Sequence, residues 1–182
     1  MKKPGVKNLL VAGMVGTMLS CLVACQYEIP ELPAATQTGA NTFGCLVDGE
    51  LVIPFDISKD HYDHSARAEY NQTADTLLIF GYGQRSQAFK FTLIHPAVNR
   101  PAPIDKAEYY YAPIPYGGGG SYYGGERIGT ITLTRFDTQA VSGTFDFIGH
   151  GYSIDPAGAV FDTGGSVTVT MGRFDITMNN YR

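Results

Sequence analysis

From Thr42 onward the chain is written mostly in steps of two. QAFKFTLIH sets Phe89, Phe91 and Leu93 against Lys90 and Thr92. GTITLTRF sets Ile131 and Leu133 against Thr130, Thr132 and Thr134, and VSGTFDFIG sets Val141, Phe145 and Phe147 against Ser142, Thr144 and Asp146. Successive side chains of a strand point to opposite faces, so this alternation predicts extended segments with one apolar and one solvated side. TFGCLV and ELVIP flank Asp48-Gly49, and an Asp-Gly pair between β-favouring runs predicts a two-residue hairpin turn with positive φ at both positions. In that hairpin Leu46, Leu51 and Ile53 share one face, while Phe43, Cys45 and Val52 share the other; Cys45 reads as a small buried hydrophobe. TLLIFGY, residues 76–82, is almost continuously apolar and reads as a further strand.

The last segment, SVTVTMGRFDITM, contains a change of phase. Val167, Val169 and Met171 occupy odd positions, whereas Phe174, Ile176 and Met178 occupy even ones. One extra residue in a strand shifts the phase this way, which predicts a β-bulge or bend at Gly172 or its immediate neighbour, the alternative being a strand covered on both faces. Asp175, between Phe174 and Ile176, is expected to face away from them into solvent. No stretch repeats its apolar residues at helical spacing over ten positions; the best helical candidate is a turn or two within Ser58 to Tyr70. The expected fold is therefore an all-β, antiparallel β-sandwich of about seven to nine strands, with a small lipocalin-like β-barrel as the alternative.

The N-terminus follows a different grammar. Lys2, Lys3 and Lys7 precede an uncharged apolar run that ends in Leu22-Val23-Ala24-Cys25. A basic cluster, an apolar stretch and small residues at its end describe a secretory signal. From Leu9 to Cys25 is only 17 residues, short for a permanent span. L-V-A-C resembles a lipobox, in which cleavage leaves Cys25 as an acylated first residue. Multiple acyl chains, at about 0.8 kcal/mol per buried CH₂, would hold the protein in the bilayer without a spanning element. The expected organisation is residues 1–24 as lipoprotein signal peptide, 25–41 as lipidated Cys25 and an extended tether (the alternative being that part of it packs along the domain), and 42–182 as a single β domain, in an outer-membrane lipoprotein of the cell envelope.

Charge and cysteine usage narrow the function classes. Losing Lys2, Lys3 and Lys7 with the signal takes the formal net charge from -4 to -7, which argues against nucleic acid as a partner. Of the three cysteines, Cys21 leaves with the signal and Cys25 is lipidated, so Cys45 has no partner for a disulfide and the core alone must hold the domain.

Two groups of residues are candidates for chemistry. His61, Asp63 and His64 could offer two imidazoles and a carboxylate to a metal such as zinc, although a loop or short helix on the surface explains the same residues. Tyr109, Tyr110, Tyr111, Tyr116, Tyr122 and Tyr123 crowd around the Gly117–Gly120 run, and half of the twelve tyrosines fall in this window. Exposed tyrosine combines a rigid apolar face with a polar tip, which suits a glycan or an envelope protein; the rival reading is a hairpin whose rings cover the sheet. No cofactor and no catalytic constellation are assigned. The leading reading is an accessory ligand- or protein-binding module, and the alternative is a metal-dependent or hydrolytic enzyme with its site on the sheet loops.

QTGANTFGCLVDGELVIP, the later VSGTFDF and the terminal GRFDI resemble a family of uncharacterised Bacteroidetes lipoproteins. The opening of that family reads A-T-x-x-G-x-N-T-F-G-C-x-V-[ND]-G, and Ala35, Thr36, Gly39, Asn41, Thr42, Phe43, Gly44, Cys45, Val47, Asp48 and Gly49 match it. Ile53 departs from it, standing where such proteins often have an aromatic surrounding. The resemblance implies an envelope lipoprotein with a β-rich domain and brings no catalytic residues with it.

Overall fold

A computed structural model of the chain describes residues 31–53, 66–83, 87–111, 121–154 and 159–178. Among these the regular structure is entirely β. The strands are β1 (Thr42–Val47), β2 (Glu50–Val52), β3 (Ala66–Asn71), β4 (Thr76–Tyr82), β5 (Gln87–Ile94), β6 (Pro101–Pro103), β7 (Lys106–Tyr111), β8 (Ser121–Glu126), β9 (Gly129–Phe136), β10 (Ala140–Ile154) and β11 (Val160–Thr177). They form one antiparallel sheet in the order β2-β1-β11-β10-β8-β7-β5-β4-β3, with β9 on the first half of β10 and the short β6 beyond β9. These are eleven strands rather than seven to nine; β2 is the second arm of the expected hairpin, and the additional ones are the three-residue β6 together with β3, β7 and β8, whose sequences carry no marked apolar alternation.

The sheet folds onto itself because β10 changes neighbours along its length. Residues 141–147 pair with β9, and residues 150–152 pair with β8. The inward face of β1, β10 and β11 then meets that of β5 and β7. Phe43 of β1 lies 5.1 Å from Phe89 of β5 by ring centroids, and Phe91 of β5 lies 4.6 Å from Phe145 of β10. Phe43, Phe89, Phe91, Leu77, Ile79, Ile131, Leu133, Val141, Phe145, Val169 and Ile176 are the centre of this apolar core, and each is a position the period-two pattern turns inward or a member of an apolar strand. β3, the far end of the path, comes close to the end of β11, and Ala68 makes an isolated parallel bridge with Met178, the residue that follows it.

The Asp48-Gly49 turn is as the sequence predicts: φ is +49° and +85°, and Cys45 pairs with Val52 and Leu46 with Leu51. The change of phase in β11 is a bulge. Phe145 pairs with Gly172 and Phe147 with Val169, so Thr170 and Met171 together oppose one residue of β10. The residue with positive φ is Met171 (+54°), not Gly172, and its side chain is 55% exposed instead of continuing the inward series of Val167 and Val169. Gly172 is small for another reason: a Cβ there would run into the ring of Phe145.

Three expectations are corrected. The helical candidate within Ser58 to Tyr70 does not extend over residues 66–70, which belong to β3: Ala66 and Ala68 are buried against the apolar β4, and pairing overrides the helix preference of ARAEY. Residues 54–65 lie outside the described segments. Asp175 is not solvated: it is 1% exposed. The covering layer comes from the segment expected to be an extended tether, of which residues 36–40 pack along the domain, as the alternative had it. Thr36 and Thr38 donate hydroxyls to Asp175 Oδ2 at 2.6 and 3.2 Å, and the backbone N–H groups of Thr38, Gly39 and Ala40 add bonds of 2.8–3.2 Å. Ser142, outward-facing yet fully buried, completes the set at 2.6 Å. Farther along, the Pro33 carbonyl accepts from the Arg173 guanidinium at 3.2 Å and the Gly39 carbonyl from Thr177 Oγ1 at 2.8 Å.

Candidate functional site

The tyrosine-rich window divides by face, because β7 and β8 alternate like the other strands. Tyr109 points inward. It is buried, its ring lies 4.8 Å from Phe89, and Gln87 Nε2 donates to its hydroxyl at 3.1 Å. Burial pushes its hydroxyl pKa up to about 12. Tyr111 and Tyr123 also pack against the core, Tyr123 stacking 6.0 Å from Tyr109. These three are structural. Tyr116 lies outside the described residues.

Tyr110 and Tyr122 point the other way. They are direct cross-strand partners on β7 and β8, with ring centroids 4.7 Å apart. Tyr122 is in turn the direct partner of Tyr152 on β10, with centroids 5.6 Å apart and planes inclined by 28°. The three rings thus form a row across three neighbouring strands on the outer face, each ring about one strand spacing from the next. Tyr152 was missed because it sits alone in YSID, 29 residues beyond Tyr123; only the β8–β10 pairing brings it in. A regular alternation carried on from Phe145 and Phe147 puts it outward, which is the signal that could have found it.

Small residues and charges border the row. On one side Tyr110 is opposite Ala88 of β5, and Tyr82 of β4 stands beyond Ala88. One step along the strands the same face carries Lys90, Glu108, Gly124 and His150 in mutual register. Glu108 holds Lys106 at 3.0 Å and Lys90 at 3.6 Å. A Cβ on Gly124 would lie 3.4 Å from a ring carbon of Tyr152, so that ring leans across the gap left by the glycine. Partial burial raises the Tyr152 hydroxyl pKa, and the Glu108 charge adds to the effect. The hydroxyl therefore stays protonated and able to donate at neutral pH. Apolar ring surface, phenolic hydroxyls, a carboxylate and ammonium groups lie within one patch, a combination that can hold a polyhydroxylated or mixed-polarity ligand by stacking and hydrogen bonds.

The other candidates do not converge on a site. His61, Asp63 and His64 lie outside the described residues, as does Cys25. Among the described residues no group of three or more His, Cys, Asp or Glu side chains is arranged to hold a metal. His95 is 2.6 Å from Asp75 through Nδ1, and Tyr70 donates to the other oxygen of Asp75 at 2.6 Å. The Tyr70 bond, then the His95 bond, lower the Asp75 pKa. The trio closes the β3–β4 turn against the end of β5, where the His95 N–H also donates to the Asp75 carbonyl at 2.9 Å. Cys45 is fully buried and its thiol is pushed up to about 12 by desolvation, which keeps it inert. No described helix is long and apolar enough to cross a membrane. Comparison of the chain with protein-family models, with curated proteins and with solved structures finds no match.

Proposed function

We propose that the protein is a lipid-anchored module of the cell envelope that binds a ligand through the outer-face row Tyr110, Tyr122 and Tyr152. The observation that carries this reading is the row itself: three rings on directly paired positions of three strands, turned away from a core that already has its own aromatic set. Tyrosine is a low-entropy contact residue, and the adjoining Glu108, Lys90 and Lys106 give the patch polar groups that could orient what lies on the rings. The anchor rests on the lipobox-like Leu22-Val23-Ala24-Cys25 behind its basic and apolar segment, and on the resemblance to the Bacteroidetes lipoproteins. A glycan or an envelope protein fits the chemistry of the patch.

The test of binding is a titration of the mature domain with envelope and host-type oligosaccharides and with isolated envelope proteins, followed by calorimetry. The chain has no tryptophan, so its intrinsic fluorescence is tyrosine emission and offers a second readout. Binding that weakens at least tenfold in Tyr122→Ala and in Tyr152→Ala, at unchanged folding, supports the row. A ligand held equally well by the double variant would remove it. Anchoring is checked separately: acyl chains on Cys25 by mass spectrometry, and release of the Cys25→Ser variant from the membrane.

A further inference from the structure

The long β10–β11 hairpin ends in exposed apolar residues. Val160 is 65% and Phe161 51% exposed, and every described residue from Ala159 to Ser166 is exposed. Over this stretch β11 pairs only with β10 among the described strands, since its pairing with β1 stops at Val169. β10 is flanked by β8 only as far as Tyr152, so Val160 and Phe161, paired with Ile154 and Ser153, lie beyond the last described strand that borders the hairpin. From Ser153 to Gly172 there is no lysine or arginine, so whatever the tip meets is not met through positive charge. Asp162, the described acidic residue nearest the tip, turns a side-chain oxygen back onto the Gly164 N–H at 2.7 Å.

The course of the N-terminal segment says which way this tip faces. Gly39 contacts Thr177, Thr38 contacts Asp175 and Pro33 contacts Arg173. Receding along the segment is thus receding along β11, toward Val160. Pro33 is eight residues from Cys25, a distance the chain can span by at most about 29 Å. Arg173 is thirteen residues from Val160 along β11, roughly 43 Å of regular strand, or about 33 Å if the residues taken up by its two register shifts are left out. The reach available from Pro33 to Cys25 is thus no longer than the length of β11 from Arg173 to the tip.

We propose that the Val160–Phe161 end of the β10–β11 hairpin contacts the bilayer to which Cys25 is attached, its two side chains entering the boundary between headgroups and acyl chains. This rests on the lipid-anchor reading above. Apolar side chains gain from leaving water at that boundary, where the unpaired edge N–H and C=O groups of a two-stranded hairpin can keep their water, as they could not deeper in the hydrocarbon. The contact fixes the domain tip-down, with Asp137 and the β9–β10 turn at the distal end, where Ala140 pairs with Thr177.

The experiment uses the mature acylated protein in vesicles of phosphatidylethanolamine and phosphatidylglycerol. Cys45 is buried and Cys25 is blocked by its lipid, so Val160→Cys and, separately, Thr138→Cys in the β9–β10 turn take a polarity-sensitive fluorophore at a single place. With a nitroxide on the upper acyl chain, the label at position 160 should lose at least half its emission and shift to the blue, while that at 138 is unchanged. Equal quenching at the two positions, or a label at 160 that behaves as in water, overturns the proposal. Mass spectrometry of the same protein separates the failures: an unacylated Cys25 removes the anchor reading and this inference together, whereas an acylated protein with a water-exposed tip removes the inference alone.

Discussion

Ser142 and Asp175 are direct partners on neighbouring strands, joined by a 2.6 Å hydrogen bond from the hydroxyl to Oδ1. The carboxylate also accepts from Thr36, Thr38, Gly39 and Ala40, so one side chain joins the N-terminal segment to two strands of the sheet. Burial by itself would raise its pKa; the bonds from Ser142, Thr36 and the N–H groups of Gly39 and Thr38 outweigh that and hold it far below the ordinary 3.8.

Acid sensitivity follows from that balance. An acid depressed in the folded state binds fewer protons there than in the unfolded chain, so its contribution is complete above pH 3.8 and declines as the pH falls below it. Urea midpoints measured from pH 6 down to pH 2.5 should drop, and more shallowly for Asp175→Asn. Asp137, lowered to about 2 by Arg135 and by the N–H groups of Gln139 and Ala140, acts with the same sign, so Asp137→Asn is the needed comparison. At neutral pH Asp175→Asn should cost about 3 kcal/mol, because an amide NH₂ would face the N–H donors.

The bulge predicts opposite outcomes at adjacent positions. Met171→Gly places the residue tolerant of positive φ where φ is +54°, and the lost side chain was exposed; a gain of about 0.5–1 kcal/mol is expected. Gly172→Ala pushes a methyl into the Phe145 ring and should cost about 2–3 kcal/mol. Thermal or urea unfolding of the two variants decides the matter.

Tyrosines from the two faces should separate function from stability. Tyr109→Ala empties a buried site beside Phe89 and should cost about 3–4 kcal/mol. Tyr122→Ala removes a cross-strand contact on an outer face and should cost about 1 kcal/mol while carrying the loss of ligand binding. Equal destabilisation by the two would mean that the outer row is as structural as the inner one.

Cys45 should resist a disulfide-exchange reagent at pH 8 in the folded protein and react fully in denaturant, since its thiol is buried and shifted to about 12. Appreciable labelling of the native state within minutes would show that β1 and β2 open far more readily than their packing implies.

What the sequence made legible was whatever depends on alternation within one segment. The inward faces of β5, β9 and β10, the Asp48-Gly49 turn and the shift of phase near Gly172 all follow from local spacing, and all are present. What it hid depends on partners remote in the chain. Asp175 does alternate outward as expected, but the layer over it comes from residues 36–40, more than 130 positions away. β3 has weak strand preference and is drawn into the sheet by the apolar β4. Outward-facing Phe80 is explained by the Arg67 guanidinium 4.4 Å above its ring, which no local pattern shows. The tyrosine row was half legible for the same reason: Tyr110 and Tyr122 share a window, whereas Tyr152 joins them only because β10 crosses from β9 to β8.

The clasp on Asp175 also has a mechanical meaning. The segment lies alongside an interior strand and runs in its direction, so tension applied at its beginning acts along the strand rather than across it. In that geometry several hydrogen bonds share the load and must yield together, instead of opening one after another like a zip. Loaded from that end, the clasp on Asp175 should hold under forces that would peel an edge strand away.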